Sequence, residues 1–145
     1  MSATDPPQGL RFVHPDLDDE AAVGLVCGEH GHLESAAGAA LIRQSLLLLL
    51  STTPGERVMR PDYGCALLSL AFSLNDDTTA GLAIHFVREA VTRFEPRARI
   101  LDVSATRPAD APHALQVRLD YQPRWGGTPD TLTVWLPLDG PAPEY

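Results

Sequence analysis

Five consecutive leucines, Leu46–Leu50, are the feature that most limits how this chain can fold. In a helix successive residues are about 100° apart, so the run covers the whole circumference and cannot face water on any side. Polar residues precede it, and a membrane span needs about 20 apolar residues. The run therefore predicts a buried core helix over residues 34–50, ended by Pro54 and Gly55, and no membrane insertion.

The length and composition of the chain indicate one globular domain. It has 145 residues, with 44% hydrophobic and 21% charged residues. A chain of this size can bury roughly 68–70% of the surface that its unfolded form exposes. We therefore expect a single domain over residues 1–145, with mobile tails at 1–9 and 139–145, where proline, glycine and charge oppose ordering.

The charge balance restricts the class of partner. All 11 basic residues are arginine, and 19 acidic residues bring the net charge to −8. Nucleic acids and anionic membranes attract proteins with excess positive charge, so neither is an expected partner. Acidic and basic residues balance within residues 56–100, where we expect protein partners to bind, whereas the acidic stretch 16–20 is expected to be a solvated loop.

The cysteine content indicates free thiols. Cys27 and Cys65 are too few for a disulfide framework, and the first residues lack the cationic and apolar stretches of an export signal. We therefore expect synthesis in the cytoplasm. Potential metal ligands cluster near the first cysteine, but their spacing matches no zinc-finger pattern, so a polar turn with no metal and no cofactor is the simpler interpretation. These residues are Cys27, Glu29, His30, His32 and Glu34.

Two further helices are predicted after the leucine run. The first covers residues 62–71, with Asp62 as its N-cap. The second covers residues 76–94, where apolar residues recur at spacings of three and four and give the helix one buried face.

After Pro96 the apolar spacing changes to two, which is typical of half-buried strands. Strands are predicted over 98–106, 113–122 and 130–138. Three helices followed by three strands indicate an α+β domain with one three-stranded antiparallel sheet.

The segment Glu95-Pro96-Arg97 stands where the third predicted helix must end, because proline disfavours helix at the preceding residue. Residues two apart in an extended segment point the same way, so Glu95 and Arg97 should lie side by side. A carboxylate at a helix C-terminus is unfavourable unless something compensates it. The compensating group is Arg97 in an internal ion pair, Arg57, or a binding partner, and the residues alone leave these alternatives open.

A second charged turn follows the first helix. Gly55 permits a positive φ there, which presents Glu56 and Arg57 at the turn. From their spacing alone, these two residues are expected to be solvent-exposed charges where the first helix ends.

The segment GERVMRPDYG at residues 55–64, followed after a helix by Glu95-Pro96-Arg97, resembles the tail-lysozyme-like baseplate family of contractile injection systems. That family includes wedge proteins of contractile-tailed phages and components of type VI secretion baseplates, tailocins and extracellular injection particles. The resemblance extends from GLRF at residues 9–12 to WLPL at 135–138. Phe94 stands where family members often have tryptophan.

The resemblance implies a non-enzymatic structural protein of a phage-tail-like particle, present in six copies around the tube. Such a protein joins the wedge to the contractile sheath, and its fold is similar to the attachment domain of sheath subunits. It would therefore template the first sheath ring, with sheath arms adding strands to its sheet near 113–122 and 130–138. The implied wedge-docking residues are Glu95, Pro96 and Arg97, and the implied supporting corner is Gly55, Glu56, Arg57, Pro61 and Gly64.

The family name also implies an alternative, a peptidoglycan-cleaving glycoside hydrolase of the tail. Such an enzyme usually needs two carboxylates across a cleft. Glu56, Glu89 and Glu95 are available, but a turn, a helix surface and a docking segment explain them more simply. We therefore expect no catalytic residues.

Overall fold

The computed structural model describes residues 6–14 and 23–139. The acidic stretch 16–20 and most of both predicted tails lie outside the described residues. The chain divides into two compact units, Met1–Leu48 and Leu49–Tyr145. The single domain predicted over the whole chain stays a prediction.

The first unit contains two small antiparallel sheets and most of the first helix. Strand β1 (Gln8–Leu10) pairs with β4 (Ser35–Ala37), and β2 (Phe12–Val13) pairs with β3 (Gly24–Leu25). Helix α1 (Gly38–Ser51) follows β4 directly.

A glutamine of α1 connects the helix to the strands of its unit. The Gln44 amide oxygen accepts a hydrogen bond from the Phe12 backbone N–H at 2.7 Å, and its Nε2 donates to the Leu10 carbonyl oxygen at 2.8 Å. Four of the five consecutive leucines are buried, and Leu48 is half-buried. The five leucines can follow one another in this helix because almost every side of it is shielded from water at these positions.

The second unit packs helix α2 (Asp77–Phe94) against a three-stranded antiparallel sheet. The strands are β5 (Ala98–Thr106), β6 (Ala114–Pro123) and β7 (Asp130–Pro137), in the order β5-β6-β7. Strand β6 is central and alternates buried and less buried residues along its length. Because β6 pairs on both sides, β5 and β7 are the edge strands of this sheet within residues 6–14 and 23–139.

The predicted order of three helices followed by one sheet is wrong at the start of the chain. Residues 34–37 were predicted as helix, but Ser35–Ala37 forms a strand and the helix begins at Gly38. The strand forms because it pairs with Gln8–Leu10, distant in sequence and partly inside the predicted N-terminal tail. Its small residues carry no period-two apolar pattern, so hydrophobic periodicity does not reveal the pairing.

The helix predicted over 62–71 is also wrong. Gly64 has φ +137° and Cys65 is extended, so the chain cannot be helical there, and only a short 3₁₀ helix forms at Ala66–Leu70. Asp62 does not cap a helix; its carboxylate pairs with Arg93 at 3.1 Å. The structure is thus a mixed α+β fold with two α-helices and three sheets among the described residues.

The periodic segments fold where their patterns indicate. The ranges predicted for α2 and for the three strands each lie within one residue of the observed bounds. Asp76 caps α2, since its carboxylate accepts a hydrogen bond from the Thr79 N–H at 2.9 Å. Within residues 6–14 and 23–139, no helix has both the length and the apolar character needed to span a bilayer.

Candidate functional site

The end of α2 forms a tight corner at Glu95-Pro96-Arg97, called here the E-P-R corner. Arg97 donates from Nε and Nη2 to the two carboxylate oxygens of Glu95, at 2.7 and 2.8 Å. The Glu95 side chain is 4% exposed and the Arg97 side chain is 39% exposed. The internal ion pair therefore compensates the carboxylate at the helix end, and the bonds to Glu95 raise the pKa of Arg97 above its ordinary value.

The E-P-R corner is also tied to the sheet, through a residue that sequence reasoning missed. Arg124, just beyond the end of β6, donates from Nε to the Pro96 carbonyl oxygen at 2.6 Å and from its backbone N–H to the Arg97 carbonyl oxygen at 2.9 Å. Pro96 itself is exposed. The pairing of Ala98 with Pro123 brings Arg124 to the corner, so the strand register was the signal that could have found it.

The loop that carries the second predicted set, residues 55–64, is fixed by its own backbone. Gly55, at φ +92°, donates its N–H to the Pro61 carbonyl oxygen at 2.7 Å. The Glu56 carboxylate accepts a hydrogen bond from the Thr53 N–H at 3.0 Å. A Cβ on Gly64 would lie 2.5 Å from a backbone carbonyl oxygen, so the loop requires glycine at this position.

Tyr63 brings the 55–64 loop and the E-P-R corner together. Its ring meets the Phe94 ring edge to face, with centroids 5.2 Å apart. The guanidinium carbons of Arg57 and Arg60 lie 4.7 and 5.2 Å from the centroid of the Tyr63 ring, within cation–π range. Partial burial raises the pKa of Tyr63, the Glu95 charge acts in the same direction, and the two arginines oppose it. Both predicted sets therefore belong to one cluster.

A groove of about 280 Å³ lies between the loop and α2. The ion pair of Asp62 with Arg93 borders it, and Cys65 lines it. Burial raises the pKa of the Cys65 thiol to about 11, so this cysteine is not a reactive nucleophile near neutral pH.

A family model described as baseplate wedge protein gp25 matches residues 36–127, which include both motifs of the cluster. The chain belongs to the gp25 baseplate wedge family. Membership of this family supports a structural role in the baseplate of a phage-tail-like particle.

Solved structures agree with the family assignment. A candidate tail lysozyme from Geobacter sulfurreducens is 37% identical, with a TM-score of 0.62 over 70% of this chain and 91% of that chain. The baseplate of the anti-feeding prophage contains a chain that is 20% identical, with a TM-score of 0.59 over 91% of this chain and 87% of that chain. A chain of the type VI secretion baseplate complex is 18% identical, with a TM-score of 0.52 over 66% of this chain and 88% of that chain. The last two, at low identity, show the fold alone. No match was found among curated protein sequences.

Of the three glutamates considered as hydrolase carboxylates, two are held by hydrogen bonds within the chain. Glu95 is bound to Arg97, and Glu56 accepts a hydrogen bond inside its loop. Glu89 is exposed on α2, with a carboxylate oxygen 3.7 Å from Nε2 of His85. Of these three glutamates, only Glu89 lines the groove between the loop and α2, so they do not face one another across it.

The residues considered as metal ligands do not converge. The rings of His30 and His32 stack with centroids 6.2 Å apart, and Glu34 pairs with Arg11 at 2.8 Å. Across the part of the chain that the structure describes, no group of three histidine, cysteine or acidic side chains is placed to hold a metal ion.

Proposed function

We propose that this wedge-family chain is a non-enzymatic adaptor that docks on the helical core bundle of its baseplate wedge through the E-P-R corner. The observation that carries the proposal is the fixed geometry of that corner. The ion pair between Glu95 and Arg97 and the bonds from Arg124 hold an exposed Pro96 in one orientation. A surface that is already ordered loses little entropy on binding.

The three residues of the corner have different parts in this proposal. Glu95 is buried, so it contacts no partner directly and instead orients the Arg97 guanidinium. Pro96 and the exposed part of Arg97 form the contact. The 55–64 loop supports the corner from the side, through the contact between Tyr63 and Phe94.

The docking test uses two exposed prolines. Pro96→Glu places a bulky charge at the proposed contact, whereas Pro129→Glu makes the same change in the loop before β7. Each variant is produced together with tagged wedge core proteins, and recovery on the tag is measured after circular dichroism has verified folding. We expect Pro96→Glu to lose recovery and Pro129→Glu to keep it. Recovery of folded Pro96→Glu at the unmodified level would overturn the docking proposal.

We further propose that the sheet templates the first sheath ring, with six copies around the tube, by accepting a strand at β7. Of the two strands considered as candidate edges, β6 is paired on both sides, whereas β7 has one side with which no described strand pairs. An edge strand offers unpaired backbone groups to an added strand.

Proline substitution in β7 tests strand addition. The backbone N–H groups of an edge strand point alternately toward the neighbouring strand and away from it. Proline lacks this N–H, so one of the two variants Thr133→Pro and Val134→Pro removes an N–H that points away from β6 and leaves the bonds between β6 and β7 intact. That variant should stay folded and join the wedge, yet its baseplates should carry no sheath in electron micrographs. Normal sheath assembly on both folded variants would contradict strand addition at β7.

The hydrolase alternative is supported by the similarity to the candidate tail lysozyme. Its test is the clearing of a peptidoglycan suspension by the purified protein. We expect no clearing. Clearing that is lost in Glu56→Gln or Glu89→Gln would establish catalysis and overturn the non-enzymatic role.

A further inference from the structure

Two adjoining grooves beside Pro96 are lined by arginine. One, of about 290 Å³, is lined in part by Arg88, Pro96, Arg99 and Arg124. The other, of about 410 Å³, shares Arg99 and Arg124 and extends to Gln122. Among the residues that the structure describes, no acidic residue lines either groove. Together they form what is called here the arginine groove.

The arginines of this groove differ from most others in the chain. Arg93, Arg97, Arg107 and Arg118 each pair with a carboxylate at 3.1 Å or less. Within the described residues, the exposed side chains of Arg88 on α2 and Arg99 on β5 have neither an ion pair nor a hydrogen bond. The chain carries a net charge of −8, so carboxylates that could neutralise them are abundant, yet no carboxylate from the described part of the chain lines this groove.

Arg124 gives the groove a fixed point. Its Nε donates to the Pro96 carbonyl oxygen at 2.6 Å, which orients the guanidinium beside the E-P-R corner. An ordered guanidinium can bond a carboxylate through two parallel hydrogen bonds at a smaller entropic cost than a mobile cation. The groove therefore combines one oriented arginine with two unpaired ones.

We propose that the arginine groove binds an acidic segment, rich in aspartate and glutamate, of the protein that docks at Pro96. This inference rests on the proposed docking and adds the chemistry of the partner. A nucleic acid fits less well, because no aromatic side chain of the described residues lines the groove to stack on bases.

Binding to a model acidic segment is the direct test. The probe is a fluorescein-labelled helical peptide of glutamate and alanine, and the same peptide with glutamine in place of glutamate is the uncharged control. Binding to the purified full chain is followed by fluorescence anisotropy. The acidic peptide should bind, the glutamine peptide should not, and binding should weaken as salt is added. Equal binding of the two peptides would overturn the inference.

Paired arginine variants locate the site. Exposed ion pairs are individually weak, so each removed arginine should reduce affinity about two- to fivefold, and Arg88→Gln/Arg99→Gln should reduce it about tenfold. The charge-matched control Arg107→Gln/Arg118→Gln changes arginines outside the groove and should reduce it less than about twofold. Equal losses in both double variants would overturn the assignment. Tighter binding of double-stranded DNA than of the acidic peptide would overturn the choice of a protein partner.

Recovery with wedge core proteins separates this inference from the docking proposal. If Pro96→Glu loses recovery while Arg88→Gln/Arg99→Gln keeps it fully, docking stands and the groove inference fails. If Pro96→Glu keeps recovery, the docking proposal fails, and with it the assignment of the groove to the docking partner. Loss of recovery in both, with the charge-matched control unaffected, supports both.

Discussion

Replacing Arg97 with alanine leaves the Glu95 carboxylate buried without its counter-ion. Both carboxylate oxygens accept hydrogen bonds from Arg97, at 2.7 and 2.8 Å, and the Glu95 side chain is 4% exposed. Removing one partner of a buried ion pair costs about 3–5 kcal/mol. Because the Arg97 side chain is 39% exposed, water screens part of the interaction. We therefore expect the free energy of unfolding to fall by about 3 kcal/mol.

Urea unfolding at pH 7, followed by circular dichroism, measures this loss. A double-mutant cycle with Glu95→Gln isolates the interaction energy between Glu95 and Arg97 from the other effects of each substitution. Once residue 95 is neutral, Arg97→Ala should cost less, because a buried amide is less costly to leave unpaired than a buried carboxylate. The coupling energy should be about 2 kcal/mol. Arg118→Ala is the control, since it breaks an exposed pair and should leave the unfolding midpoint nearly unchanged. A coupling energy below about 0.5 kcal/mol would refute the buried pair.

Further predictions concern the loop, the thiols and the start of α2. Gly64→Ala should destabilise the protein by about 3 kcal/mol, because the added Cβ would clash with backbone atoms at a residue with positive φ. Gly81→Ala adds a Cβ in open space within α2 and should stabilise the protein by about 0.5–1 kcal/mol. Urea unfolding measures both changes, and equal effects would contradict the strained turn at Gly64. At pH 8 a thiol reagent should label the exposed Cys27 quickly and Cys65 only when the protein unfolds, because burial raises the pKa of Cys65 to about 11. Labelling of both cysteines at the same rate would refute the burial of Cys65. Hydrogen bonds at the start of α2 lower the pKa of Asp76, so its stabilising charge is present at neutral pH and is lost as the pH falls through this lowered value. The unmodified protein should therefore have a higher thermal midpoint than Asp76→Asn at pH 7 but not in strong acid, because asparagine keeps the cap and removes only the charge. A difference that persists in acid would contradict the stabilising role of the Asp76 charge.

Local periodicity explains what could be predicted of the fold. The apolar spacing of α2 and the alternation along β6 are properties of neighbouring residues, so the sequence alone located both elements. Strands β1 to β4 could not be found in this way, because Ser35–Ala37 becomes a strand by pairing with Gln8–Leu10. The helix expected after Asp62 failed because the positive φ of Gly64 outweighed the apolar pattern that followed it.

The candidate site could be predicted in part for a similar reason. Glu95 and Arg97 were expected side by side from the geometry of an extended segment, and in the structure they form an ion pair with each other. Arg124 reaches the corner through the pairing of β5 with β6, which no local pattern shows. The burial of Glu95 also depends on tertiary packing, and it transfers the proposed contact to Pro96.

Site-specific photo-crosslinking shows whether the E-P-R corner faces the wedge core in an assembled baseplate. A photoreactive amino acid is introduced at Pro96 or, as a control, at Pro129, and assembled particles are irradiated and analysed by mass spectrometry. We expect adducts between position 96 and a wedge core protein, and none from position 129. Docking through the E-P-R corner would be refuted by particles that contain the chain at normal levels but give no wedge adduct from position 96, or that give equal adducts from both positions.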